Sequence, residues 1–241
     1  MLNRKIITKL VLSAFLASTI AACTSSPDEI ERVPDRSPQA QYTEAKNALN
    51  NQMYNRAITI LAGLERRYPF GPLTRQVQLD LMFAYYKSGQ FDQALPSIDR
   101  FIKLNPNHPQ LDYVHYLRGL VNMETGVNAF QDFFGVENAD KDMLTARDAF
   151  NDFKKVVETY PDSKYVDEAK QRMVTLLDKL ARYEIVIAKY YLRREAYVAA
   201  INRCKYVLEY YQQSSALVPA LEILVEAYGK LGLDELKLET E

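Results

Sequence analysis

Four side chains have the chemistry of a nucleophile, a general base or a soft metal ligand: Cys23, Cys204, His108 and His115. Their spacing supports none of those roles. The chain has no paired-Cys motif, no His-Glu-x-x-His, no Gly-rich phosphate loop and no Gly-x-Ser-x-Gly elbow. His108 lies in a turn between Pro106 and Pro109, and His115 stands beside Tyr116 in a helical stretch. Both read as surface or packing residues. Cys204 falls inside an apolar-periodic stretch and reads as a small buried hydrophobe. Asp140 and Asp142 read as solvated loop charges. The pattern predicts no enzyme, no metal and no cofactor.

Cys23 is different, because of what precedes it. Met1–Lys9 is basic, Leu10–Ile20 is apolar, and Ala21 and Ala22 are small. Eleven apolar residues are too few to span a bilayer, which needs about 20. Together these segments form a secretory signal peptide over residues 1–22. Ile20-Ala21-Ala22-Cys23 resembles the bacterial lipobox, whose cysteine takes a diacylglyceryl thioether and an N-acyl chain. Several acyl chains anchor stably where one is marginal. The next residue is Thr24 rather than Asp, which by the same resemblance implies transfer to the outer membrane, facing the periplasm. Residues 23–38 are rich in Ser, Pro, Asp and Glu and read as a flexible tether. The membrane is thus expected to be met through lipid only.

The remaining 39–241 must supply the elements. Gly is scarce, at 8, and Tyr abundant, at 17, which favours helices over a turn-rich β fold. Three of the 30 basic residues, and none of the 31 acidic ones, lie in the first 22 positions, so the rest carries a net charge of −4. A mildly acidic body excludes a nucleic-acid binder, which needs a basic patch.

A hidden period organises the helices. Ala45, Ala57 and Pro69 are 12 apart, as are Met82, Ala94 and Pro106. Ala149 and Pro161 repeat the interval, and so do Ala188, Ala200 and Gln212, with Gln in the Pro slot. This is the register of tetratricopeptide helix pairs: small residues where helices A and B cross, and Pro to stop helix B. Gly119 takes the helix A position of the third unit, but Ala149 follows 30 residues later, leaving an 18-residue insertion around Gly126–Met143. That insertion holds Phe130, Phe133, Phe134, Gly135 and Val136. The interval from Pro161 to Ala188 exceeds the others by 14 residues, about four turns, and predicts one long helix from Tyr165 to Leu192. A fifth helix A is expected from Ala216 to Leu231, stopped by Gly232, without room for a full helix B. The fold class is all-α, a solenoid of about five helix pairs with an insertion in the third.

Such solenoids line a concave surface with helix A. The register predicts exposed positions there at Tyr42, Lys46, Phe83, Tyr86, Tyr113, Tyr116 and Met123, an aromatic groove suited to an extended or hairpin peptide. Charged helix faces, including Arg193-Arg194-Glu195 and Arg203-x-Lys205, concentrate after the insertion.

Four strings are more specific than the repeat. Arg67-Tyr68-Pro69-Phe70-Gly71-Pro72, Gln76-Val77-Gln78-Leu79-Asp80-Leu81, Ile98-Asp99-Arg100-Phe101-Ile102 and Phe133-Phe134-Gly135-Val136 resemble the BamD family, tetratricopeptide lipoproteins of the outer-membrane β-barrel assembly machinery. The resemblance runs from Cys23 to about Tyr228. It implies a scaffold that assists insertion of β-barrel proteins. The amino-terminal repeats would receive unfolded β-barrel clients, and the carboxy-terminal half would bind a POTRA domain of BamA. Arg203 matches a basic position in that half. Other lipoproteins of the complex are further implied partners, although the tail after Gly232 is shorter than in longer members. A pilus-biogenesis or competence lipoprotein would share the anchor and the repeats. The Phe-Gly-Pro and Phe-Phe-Gly-Val strings count against that alternative.

Overall fold

The computed structural model describes residues 37–128 and 136–241, and side chains outside 126–142. Cys23, nearly all of the tether, and the insertion's Phe130, Phe133, Phe134 and Gly135 therefore lie outside the described residues. Those described form ten helices. They are α1 (Pro38–Asn50), α2 (Tyr54–Arg67), α3 (Thr74–Lys87), α4 (Phe91–Leu104), α5 (Leu111–Asn128), α6 (Val136–Thr159), α7 (Val166–Arg193), α8 (Tyr197–Tyr210), α9 (Leu217–Leu231) and α10 (Asp234–Thr240). Each helix from α2 onward packs on its chain successor. The helix A elements α3 and α5, and likewise α7 and α9, also touch across their repeats.

The 12-residue register has a direct physical cause. Ala45, Ala57, Ala94, Ala149, Ala188 and Ala200 are all fully buried, because a methyl group is what two helices crossing closely can hold between them. Tyr54, Phe91 and Tyr197 each open a helix B. The expected long helix is α7, within one residue of its predicted ends. The insertion is absorbed mainly by helix extension, because α5 runs on to Asn128 and α6 already begins at Val136.

The tight A-to-B turns share one hydrogen bond, from the residue before helix B to a carbonyl five residues back. It joins Met53 N to Ala48 O at 2.8 Å, Gln90 N to Tyr85 O at 2.9 Å, Ala196 N to Tyr191 O at 3.0 Å and Leu233 N to Tyr228 O at 3.0 Å. This is the Schellman pattern, which needs one left-handed residue. Gln52, Gly89, Glu195 and Gly232 supply it, with φ near +60 to +74°. In the B-to-A turns, Tyr68, Asn105 and Tyr211 share nearly the same extended φ of −127 to −130°. Pro follows the first two and Gln212 follows the third. The turn therefore survives without proline, held by the Tyr211 amide on the Val207 carbonyl at 2.9 Å.

Candidate functional site

The helix A faces of the first three repeats meet around one carboxylate. Asp80, buried on α3, accepts from the Tyr42 hydroxyl at 2.6 Å, the Lys46 ammonium at 3.3 Å and the Gln76 amide at 3.2 Å. A buried carboxylate needs such partners to offset its lost hydration. Burial, and then Asp80 itself, push the Tyr42 phenol well above its ordinary range, so it stays a donor. Tyr113 on α5 continues the surface and feels Asp80, Tyr86 and Tyr165. Farther along, Arg172 on α7 reaches the Met123 sulfur at 3.7 Å and is held by Glu168. Tyr86 lies within electrostatic reach of Glu124, Arg172 and Glu168. The result is a shelf of half-buried phenols with Lys46 and Arg172 as cations, each already bound to a carboxylate.

None of the seven groove positions predicted to be exposed is fully so, and two of them pack against neighbouring rings. Tyr116 is buried at 6 % exposure, its ring stacked on Tyr165 at 4.6 Å and tilted against Phe153 at 5.8 Å. Burial and a hydrogen bond to Glu168 push its phenol up to about 12. It is the floor beneath the groove, because the α6–α7 turn folds Tyr165 over it. Phe83 turns toward its own preceding helix and meets Tyr54 edge-on at 6.5 Å within the first-repeat core. Tyr42, Lys46, Tyr86, Tyr113 and Met123 are half-buried rather than exposed, and stand together.

Sequence reasoning missed Asp80, Glu168 and Arg172. Asp80 did leave a signal, as the one charge between Gln76 and Tyr86, on a helix whose neighbouring residues are apolar. A charge there requires partners from the preceding helix A.

In the later repeats, Arg203 is half-exposed, but its guanidinium donates to Glu184 at 3.0 Å. Glu184 is 2 % exposed. Burial alone would lower the Arg203 pKa, and the bond and charge of Glu184 raise it instead. Arg203 thus has a structural duty in addition to any docking role. Arg193, Arg194 and Lys205 are exposed nearby in sequence, with Arg194 over the Tyr190 ring at 5.9 Å. Among the described residues no cluster of His, Cys, Asp and Glu could hold a metal ion. Among them, too, no helix is long and apolar enough to cross a membrane.

Comparison with known proteins accords with this architecture. The YfiO family model, described as an outer membrane lipoprotein, matches residues 34–241. The outer membrane protein assembly factor BamD of Vibrio cholerae serotype O1 is 44 % identical over 225 residues, covering 93 % of this chain and 92 % of that protein. Its namesake in Neisseria meningitidis serogroup A is 37 % identical over 235 residues, 96 % and 88 % of the two chains. That of Haemophilus influenzae is 34 % identical over 226 residues, 94 % and 85 %. A solenoid with this register, matched across nearly its whole length, belongs to the BamD family of outer membrane lipoproteins.

Proposed function

We propose that the chain is a non-catalytic scaffold of outer-membrane β-barrel assembly, anchored through a lipid on Cys23 and facing the periplasm. Client segments of unfolded β-barrel proteins lie on the groove of the first three repeats. A BamA POTRA domain docks on the charged faces of the later ones. The observation that carries this reading is the contrast between the two halves. Tyr42, Tyr86, Tyr113 and Met123 offer half-buried, sequence-tolerant apolar surface, flanked by cations that are already paired. Arg193, Arg194 and Lys205 offer exposed charge, which sets register with a single fixed partner. Other lipoproteins of the complex are further partners in this reading.

Co-purification from detergent-solubilised membranes tests it. BamA and unfolded β-barrel proteins are expected among the bound proteins, and recovery of a pilus secretin instead would overturn the assignment. Mass spectrometry of the mature amino terminus tests the anchor separately: an acylated Cys23 is expected, and an unmodified one contradicts it.

A further inference from the structure

Phe70 is 93 % exposed at the tip of the α2–α3 turn, and Leu104, at the end of α4, is 66 % exposed. The turn does not leave Phe70 outside through slackness. Pro69 and Pro72 flank it, the Thr74 hydroxyl donates to the Tyr68 carbonyl at 3.1 Å, and the Thr74 amide donates to Gly71 O at 3.3 Å. Arg75 then donates to Asn105 at 3.2 Å, which joins this turn to the α4–α5 turn as one end face.

The charge on that face is of one sign. Arg66, Arg67, Arg75 and Lys103 are exposed, and none is ion-paired among the described residues. No Asp or Glu occurs in 66–79 or 103–111. The carboxylates that bracket these stretches in sequence are engaged elsewhere: Glu65 holds Arg100 and Gln78, Asp80 holds Tyr42, Lys46 and Gln76, Asp99 holds Arg118, and Asp112 accepts from Ser163. The equivalent later stretches differ, since 158–171 carries Glu158, Asp162, Asp167 and Glu168 against Lys164 and Lys170, and 209–222 carries Glu209 and Glu222 with no cation. In a chain of net charge −1, this is a localised cationic and apolar tip.

The tip also has a place in the topology. α1 and α2 are joined by three residues and pair Glu44 with Arg56 at 2.7 Å, so they run antiparallel. The Tyr42 end of α1 therefore shares an end of the repeat with the α2–α3 turn.

We propose that this end face rests on an anionic phospholipid surface, with Phe70 inserted at the interface. The proposal rests on the lipoprotein reading above, and adds a second attachment to it. A single aromatic projecting from a convex tip needs no preformed pocket in a bilayer. Interfaces take up aromatic rings, and nearby arginines and lysines gain from anionic headgroups. Lipid anchor and tip together fix how the repeats stand off the membrane, because the second contact is made at high effective concentration.

The chain contains no tryptophan, so Phe70→Trp installs a lone reporter. The full-length lipidated variant is reconstituted into vesicles of phosphatidylethanolamine and phosphatidylglycerol. Its emission is expected to shift to the blue and to lose most of its intensity to bromine-labelled acyl chains. Adding Arg66→Gln and Arg67→Gln, or replacing phosphatidylglycerol with phosphatidylcholine, should reverse both changes. Val198→Trp, at an exposed position where α8 begins, should remain red and unquenched. Water-like, unquenched emission at position 70 in protein that floats with the vesicles overturns the proposal, as does equal quenching at both positions. A blue shift that appears only with an added protein partner, without lipid quenching, also overturns it in favour of a protein contact. Protein that fails to float overturns the lipoprotein reading itself, and the proposal with it.

Discussion

Gly119 on α5 faces the ring of Phe153 on α6 so closely that a Cβ at position 119 would sit 2.7–2.9 Å from three ring carbons. Phe153 is fully buried and cannot swing out. Gly119→Ala is therefore expected to destabilise the fold by about 1–3 kcal/mol, the usual range for overpacking. Urea unfolding measures it, and combining Gly119→Ala with Phe153→Leu should recover part of the loss.

Two other glycines should respond in opposite directions. Gly89 holds the left-handed position of the α3–α4 turn with open space around it, so Gly89→Ala costs about 1 kcal/mol from backbone strain alone. Gly63 is an exposed residue within α2, also in open space, so Gly63→Ala stabilises by about 0.5–1 kcal/mol. Thermal melts of the two variants should move apart from the parent.

His115 makes stability depend on pH. Its Nδ1 is buried without a hydrogen-bond partner, and its ring stacks on Tyr160 at 6.1 Å. Burial first, then the charges of Lys155 and Arg118, lower its pKa from 6.5 to about 4. The folded state thus takes up this proton later than the unfolded chain does. The neutral-His contribution is complete above pH 6.5 and is lost as pH falls toward 4, on the order of 1–2 kcal/mol by pH 5. Denaturant midpoints at pH 7 and pH 5 should differ accordingly. His115→Leu should flatten the dependence, leaving the smaller same-sign contribution of His108.

Arg203 tests docking against packing. Arg203→Glu would put a second carboxylate against buried Glu184, so its failure would not distinguish the two. Arg203→Gln alone leaves buried Glu184 without its ion pair and should cost about 1–3 kcal/mol, less than for a fully buried pair because Arg203 is half-exposed. Glu184→Gln with Arg203→Gln removes both charges and should restore most of that stability, as a double-mutant cycle in denaturant would read.

The repeat was legible because its determinants are residue types at fixed intervals: the crossing alanines, the prolines after helix B, and the extra 14 residues that became α7. Gln52 and Glu195 were not, because they adopt the left-handed turn conformation that a sequence announces only with glycine. The groove was half legible. Register placed its residues on helix A, but which rings pack and which face solvent depends on contacts across repeats, such as Tyr165 over Tyr116. Arg203 looked like a free cation, because its partner lies 19 residues earlier on another helix.

The division of labour between the halves is tested most directly by paired pull-downs on two folded variants. Tyr86→Ala with Tyr113→Ala strips the groove while sparing the buried Tyr116. Arg193→Gln, Arg194→Gln and Lys205→Gln together remove the exposed cations of the later face while leaving the Arg203–Glu184 pair intact. Each is offered a carboxy-terminal β-barrel peptide and a BamA POTRA fragment. The groove variant should lose the peptide and keep the POTRA fragment, and the later-face variant should do the reverse; equal loss of both partners in both variants would contradict the account.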